Sequence, residues 1–172
     1  MKIISPATLY TILLTVLAMG SSQSASAQAA GSDTYRIGAI VVEAPWSREA
    51  PGGVKRAVGY MRITNTGQNP DRLVGGTAAT TGRLEVHQST TSDGLTQMQA
   101  IKDGLVIGPG ETVELKPGAM HGMLVDLPRG PKAGEIIKGT LMFEKAGAIE
   151  IEYQVGSVGI RHAPTAAASH HH

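Results

Sequence analysis

Ile149-Glu150-Ile151-Glu152-Tyr153-Gln154-Val155 alternates apolar and polar side chains at every step. Successive side chains on an extended strand point to opposite faces, so Ile149, Ile151, Tyr153 and Val155 share one face and Glu150, Glu152 and Gln154 the other. That is the pattern of a half-buried strand in an antiparallel sheet, with one face on a core and one in water. Working back from it, shorter β-patterned runs occupy Ile37–Glu43, Val58–Thr64, Arg83–His87, Leu105–Ile107, Thr112–Leu115, Met123–Leu127 and Ile136–Glu144. Turn residues punctuate them at Asn65-Thr66-Gly67, Asp93-Gly94, Gly108-Pro109-Gly110, Lys116-Pro117-Gly118 and Pro128-Arg129-Gly130-Pro131. No stretch carries a convincing helical period, and no internal repeat is visible. Many short strands at roughly 8 to 12 residue spacing with Gly-rich turns predict an all-β fold, a single-domain β-sandwich over residues 35–158.

The ends read differently. Residues 1–27 carry Lys2, an apolar run through Leu9, Leu13, Leu14, Val16 and Leu17, and a small-residue site at Ala25-Ser26-Ala27. This is the pattern of a secretory signal peptide cleaved near Ala27/Gln28. Its apolar core is shorter than the roughly 20 residues of a membrane span, so an uncleaved anchor is the weaker reading and the mature chain is expected to be soluble and exported. Residues 28–34 are small and polar, a flexible lead-in. Beyond Val158 the pattern dissolves into Ala163-Pro164-Thr165-Ala166-Ala167-Ala168-Ser169 and ends in His170, His171 and His172, so residues 159–172 are expected to form a disordered tail.

Composition excludes several functions. Fifteen Lys and Arg against 14 Asp and Glu form no basic stripe, and aromatic residues at 3% offer few stacking platforms, so nucleic acid is not an expected partner. The chain has no cysteine, which removes a disulfide framework, a thiolate copper centre and a thiol nucleophile together. Methionine is left as the only soft ligand.

Four residues then stand out: His87, Met98, His121 and Met123. In Arg83-Leu84-Glu85-Val86-His87, alternation puts Leu84 and Val86 on one face and Glu85 and His87 on the other. In Met120-His121-Gly122-Met123, an extended backbone places His121 and Met123 on the same side, with Gly122 allowing close backbone approach. Met98 follows the Asp93-Gly94 turn, which can fold its segment back beside His87 as a hairpin arm. Taken singly, a Met is ordinarily core filler and a His a surface or hydrogen-bonded residue. Together, two imidazoles and two neutral, polarizable thioethers suit Cu(I), while offering little to Zn²⁺ and almost nothing to Mg²⁺ or Ca²⁺.

The motif resembles that of the periplasmic PCuAC copper chaperones: His, ten residues, Met, about twenty-one residues, His-x-Met. Here ten residues separate His87 from Met98 and twenty-two separate Met98 from His121, with Met123 following. The likeness extends to Ala44-Pro45-Trp46-Ser47-Arg48, Gly59-Tyr60-Met61-Arg62-Ile63-Thr64-Asn65-Thr66-Gly67, Asp71-Arg72-Leu73-Val74 and Leu115-Lys116-Pro117-Gly118, in family order over about residues 36 to 157. One departure is a missing sulfur, since Gln88, Ser89, Thr90 and Thr91 follow His87 where the family often has another Met. Met120 faces away from His121 by alternation, and Met61 reads as core.

The resemblance implies a cupredoxin-like Greek-key β-sandwich and a periplasmic chaperone that holds Cu(I) at His87, Met98, His121 and Met123. It also implies delivery to the copper centres of a cytochrome oxidase, with a Sco-type thiol protein as a further partner. No stable membrane insertion is expected after cleavage, and a monomer is. His162 with His170, His171 and His172, imidazoles without sulfur, suit a second site for the harder Cu(II) ion, read as a native tail rather than a tag remnant. A blue-copper electron carrier needs a Cys thiolate that is absent, and no dense histidine cluster or acid/base pair marks an enzyme. A copper buffer or resistance protein would use the same residues and is the competing reading.

Overall fold

The structure, a computed structural model, describes residues 34–164. The residues read as signal peptide, all but the last of those read as lead-in, and His170, His171 and His172 lie outside the described residues. Eleven strands run β1 (Thr34–Ile37), β2 (Ile40–Arg48), β3 (Ala57–Asn65), β4 (Asp71–Ala78), β5 (Gly82–Ser92), β6 (Leu95–Ala100), β7 (Leu105–Ile107), β8 (Thr112–Leu115), β9 (Met120–Val125), β10 (Ile136–Phe143) and β11 (Gly147–Gly156). The one helical segment among the described residues is a short 3-10 turn at Pro51–Gly53.

The alternating stretch Ile149–Val155 forms the body of β11, with Ile149, Ile151, Tyr153 and Val155 all buried. Strand β11 pairs antiparallel with β10 on one side and, over Gln154–Gly156, parallel with β2 on the other. Strands β2, β11, β10, β4, β5, β9 and β3 follow one another by hydrogen bonding, and β3 pairs back onto β2, closing the sheet into a barrel of seven strands. The all-β architecture expected from the sequence, which the family resemblance implies to be cupredoxin-like, is therefore present, with its sheets joined at both edges. Closure leaves no open edge within the ring, and Val42, Ile63, Leu73, Leu124, Leu141, Ile151 and Tyr153 fill its interior.

Strand β4 has no counterpart among the runs read from the sequence. Its Gly75-Gly76 pair breaks the alternation, and Gly75 sits at φ +146°. A Cβ on Gly76 would collide with the Thr140 carbonyl, so glycine here lets β4 approach β10 closely, beside a register shift at Met142/Phe143. In β2 a second irregularity falls at Ala44-Pro45, between the pairs Glu43↔Arg62 and Trp46↔Tyr60, with Ala44 at φ +46°. Pro45 has no ladder N–H to lose there. After Val158 the chain folds back, with Ile160 and Pro164 side chains against Gly156.

Tyr153 is fully buried and its hydroxyl has no hydrogen-bond partner among the described residues, and burial pushes its pKa far up. Its ring lies between Gly59 and Gly139, where added Cβ atoms would stand 3.0 and 3.2 Å from ring carbons. Tyr153→Phe keeps that packing and removes a desolvated, unpaired hydroxyl, so it is expected to stabilise the fold by about 1 kcal/mol. Chemical denaturation checks this; a loss of similar size would mean the hydroxyl is bonded after all.

Candidate metal centre

The hairpin β5–β6 turns on Asp93-Gly94, both at positive φ (+53° and +76°), the type I′ geometry that this dipeptide favours. On its other edge β5 pairs with β9, and there His87 stands directly opposite His121 and Glu85 directly opposite Met123. All four side chains share one face, the outside of the barrel, because Leu84, Val86 and Leu124 on the alternate positions are buried in the core. Met98 is opposite Ser89, two residues along from His87, and so lies on the same face in a diagonal position. The residue directly across from His87 on β6 is Ala100, so the hairpin arm lies beside His87 with Met98 two pairs along it.

Gly122 belongs to the inward face. A Cβ there would stand 2.6 Å from Leu84 Cδ1 and 3.3 Å from the Gly59 carbonyl, so its lack of a side chain lets β9 fit between β5 and β3. The close approach anticipated at Gly122 is found, between strands rather than toward a ligand.

The His87 and His121 ring centroids are 6.0 Å apart at an interplanar angle of 42°. An ion held by one nitrogen of each ring at about 2 Å stands roughly 3 Å from each ring centre, so this separation fits a single ion between them. His121 is buried, and its Nδ1 lies 3.1 Å from the Ala119 carbonyl. His87 is partly exposed, with Nε2 3.1 Å from Glu85 Oε2. The bond from His87 holds the Glu85 carboxyl below the usual carboxylate range against a smaller opposing effect of burial, and Arg83 adds to the lowering. Among the described residues no group of three or more His, Cys, Asp or Glu side chains is arranged to hold a metal. Met98, 59% exposed, and Met123 are the thioethers on the face that carries this imidazole pair.

Met61 is buried in the core, and Met120, opposite Gln88, packs on the core side, so neither adds a sulfur to this face. His162 is exposed, and the other three tail histidines fall outside the described residues.

Tyr60, Trp46 and Arg48, near the site, had no assigned role in the sequence reading. Val58 pairs with Met123, and Tyr60, two residues on, shares its face. Trp46 is opposite Tyr60, their ring centroids 4.4 Å apart, and the Arg48 guanidinium lies 5.7 and 5.5 Å from the two rings. Burial raises the Tyr60 pKa, with Arg48 opposing it. The signal available was the i, i+2 pairing of Trp46 with Arg48, but nothing in a single sequence sets that pair beside Met123.

This is a cupredoxin-like β domain. The "Putative lipoprotein LpqE-like" family model matches residues 40–155, and the chain belongs to the LpqE-like family and carries a PCuAC domain. It is 32% identical over 142 residues to protein Lxx21020 of Leifsonia xyli subsp. xyli (strain CTCB07), covering 83% of this chain and 82% of that one. Among solved structures it is 31% identical to the copper-bound PCuAC domain from PmoF2, with a TM-score of 0.60 over 72% of this chain and 97% of that chain. The Cu(I) form of DR1885 from Deinococcus radiodurans, 24% identical with a TM-score of 0.53 over 81% and 87% of the two chains, shares the fold.

Proposed function

We propose that this protein is an exported, periplasmic copper chaperone that holds one Cu(I) on His87, Met98, His121 and Met123 and passes it to an acceptor protein. The observation that carries the reading is the directly opposed His87–His121 pair with Met123 and Met98 on the same outer face. The likeness to a copper-bound PCuAC domain supports it. Neutral thioethers hold Cu(I) without the charge pairing of thiolates, so an acceptor carrying cysteines draws the ion downhill. Met98 lies exposed on β6, which among the described residues pairs only with β5, so it is the ligand an acceptor reaches first.

The acceptor in this reading is the copper subunit of a cytochrome oxidase, with a Sco-type thiol protein as intermediary. Export rests on the signal-peptide pattern of residues 1–27. No helix among the described residues is long and apolar enough to cross a membrane. Deleting the gene separates delivery from buffering. Lost oxidase activity when copper is scarce supports delivery, whereas sensitivity to excess copper with normal oxidase activity supports a buffer.

Two measurements bear on the ligands. An imidazole must be unprotonated to bind metal while a thioether has no proton to lose, so Cu(I) affinity is expected to fall as pH drops from about 7.5 to about 5. Affinity that stays flat across that window would remove His87 and His121 from the site. For the tail, His162 with His170, His171 and His172 is proposed as a separate Cu(II) site. Removing residues 159–172 is then expected to abolish one Cu(II) paramagnetic resonance signal while sparing Cu(I) binding, and an unchanged spectrum rejects the tail as ligand.

A further inference from the structure

Both histidine rings already have one nitrogen engaged, and not the same one. A carbonyl oxygen and an ionised carboxylate only accept hydrogen bonds. The Ala119 carbonyl therefore places the proton of His121 on Nδ1 and leaves the Nε2 lone pair free. On His87 the Glu85 carboxylate faces Nε2, which places the proton there and leaves Nδ1 bare. Glu85 is itself held: Arg83 Nε donates to its Oε1 at 3.0 Å, and the same guanidinium pairs with Asp126. A chain of charged groups from Asp126 through Arg83 and Glu85 thus ends on one ring nitrogen of His87. Glu85 also stands opposite Met123 on the ligand-bearing face, with its side chain 35% exposed, so core packing does not account for it.

Resting on the copper reading above, we propose that Glu85 is a positioning residue of the metal site: it fixes the His87 ring so that Nδ1 is the donor to the ion, while His121 donates from Nε2. A ring held by a carboxylate on its far N–H is pre-oriented and a more basic donor than a free one. Arg83, bonded to the other oxygen, keeps Glu85 from turning away from the ring.

Nitrogen-15 NMR of the histidine rings in the metal-free full chain tests this before any copper is added. The expected spectrum shows His87 as the Nε2–H tautomer and His121 as the Nδ1–H tautomer. On loading with Cu(I), Nδ1 of His87 and Nε2 of His121 are expected to shift. Glu85→Leu should let His87 average between tautomers and lower Cu(I) affinity roughly 10- to 100-fold. Glu85→Gln, which keeps an acceptor oxygen, should restore the tautomer and recover part of the affinity. An Nδ1–H tautomer on His87, a copper-induced shift at its Nε2, or a Glu85→Leu protein with unchanged tautomer and affinity would each overturn the proposal. The wild-type spectra decide it even if Glu85→Leu folds poorly. Failure of the wild type to bind Cu(I) overturns the copper reading and the donor role with it, while the metal-free spectrum separately reports whether Glu85 sets the ring.

Discussion

Replacing Met98 and Met123 together by leucine is expected to lower Cu(I) affinity by roughly 100-fold or more. Disturbing a group that merely orients a ligand costs about 10- to 100-fold in metal affinity, and deleting two donors outright removes more. Leucine roughly preserves methionine's volume and cannot ligate, so the fold should persist. Met98 is 59% exposed and Met123 is only partly buried, and neither belongs to the core cluster, so the change in stability should stay within about 1 kcal/mol. Competition against a Cu(I) chelator reads the affinity, and thermal unfolding of the metal-free protein reads the fold. Zn²⁺ binding, which gains little from thioethers, should change far less than Cu(I) binding. Equal Cu(I) retention by the double variant would take methionine out of the site and leave the outer-face geometry without a copper role.

The largest stability effect is expected at Asp71, the first residue of β4. Its side chain is buried, and its two oxygens accept three backbone N–H groups, from Arg72 at 2.7 Å and from Lys145 and Ala146 at 2.9 Å each. Asp71 thereby ties the start of β4 to the turn between β10 and β11. Asp71→Ala leaves those donors unpaired and is expected to cost about 3 kcal/mol in chemical denaturation near neutral pH. Burial pushes the Asp71 pKa up, but the three N–H donors together outweigh it and hold the carboxyl below its usual range. Because the folded pKa lies below the unfolded one, this stabilisation is complete above the unfolded value of about 4 and is lost as pH falls through the folded value. The gap between wild type and Asp71→Ala should therefore be widest near neutrality and narrow in acid below about pH 4. A gap equally wide at both ends would mean that the charge of the carboxylate contributes nothing.

How much of this was legible in the sequence depends on the range of the signal. Alternation at Ile149–Val155 marked β11 because one face is buried and the other wet, and Asp93-Gly94 marked the β5–β6 hairpin because both residues accept positive φ. Strand β6 itself was not among the runs read, since all six of its residues are exposed and no burial pattern is imposed on them. Strand β4 was missed because Gly75 and Gly76 serve a close approach to β10, and the partner that requires it, Thr140, is 64 residues from Gly76 along the chain. Alternation also placed Glu85 on the face of His87, yet its bond to the ring and its hold by Arg83 depend on rotamers that spacing cannot supply.

The sequence by itself determined the all-β class, the soft-ligand chemistry left to a chain without cysteine, and the facing of His87, His121 and Met123, because these follow from residue type and a two-residue period. Only the tertiary structure decided that β3 returns to β2 and closes the barrel, that β9 pairs with β5 in the register that opposes His121 to His87, and that Met98 lies diagonal to them. Strand register between distant segments is fixed by which side chains fill the common core and by glycines such as Gly122 that let strands meet. Those are properties of the packed whole rather than of any local stretch.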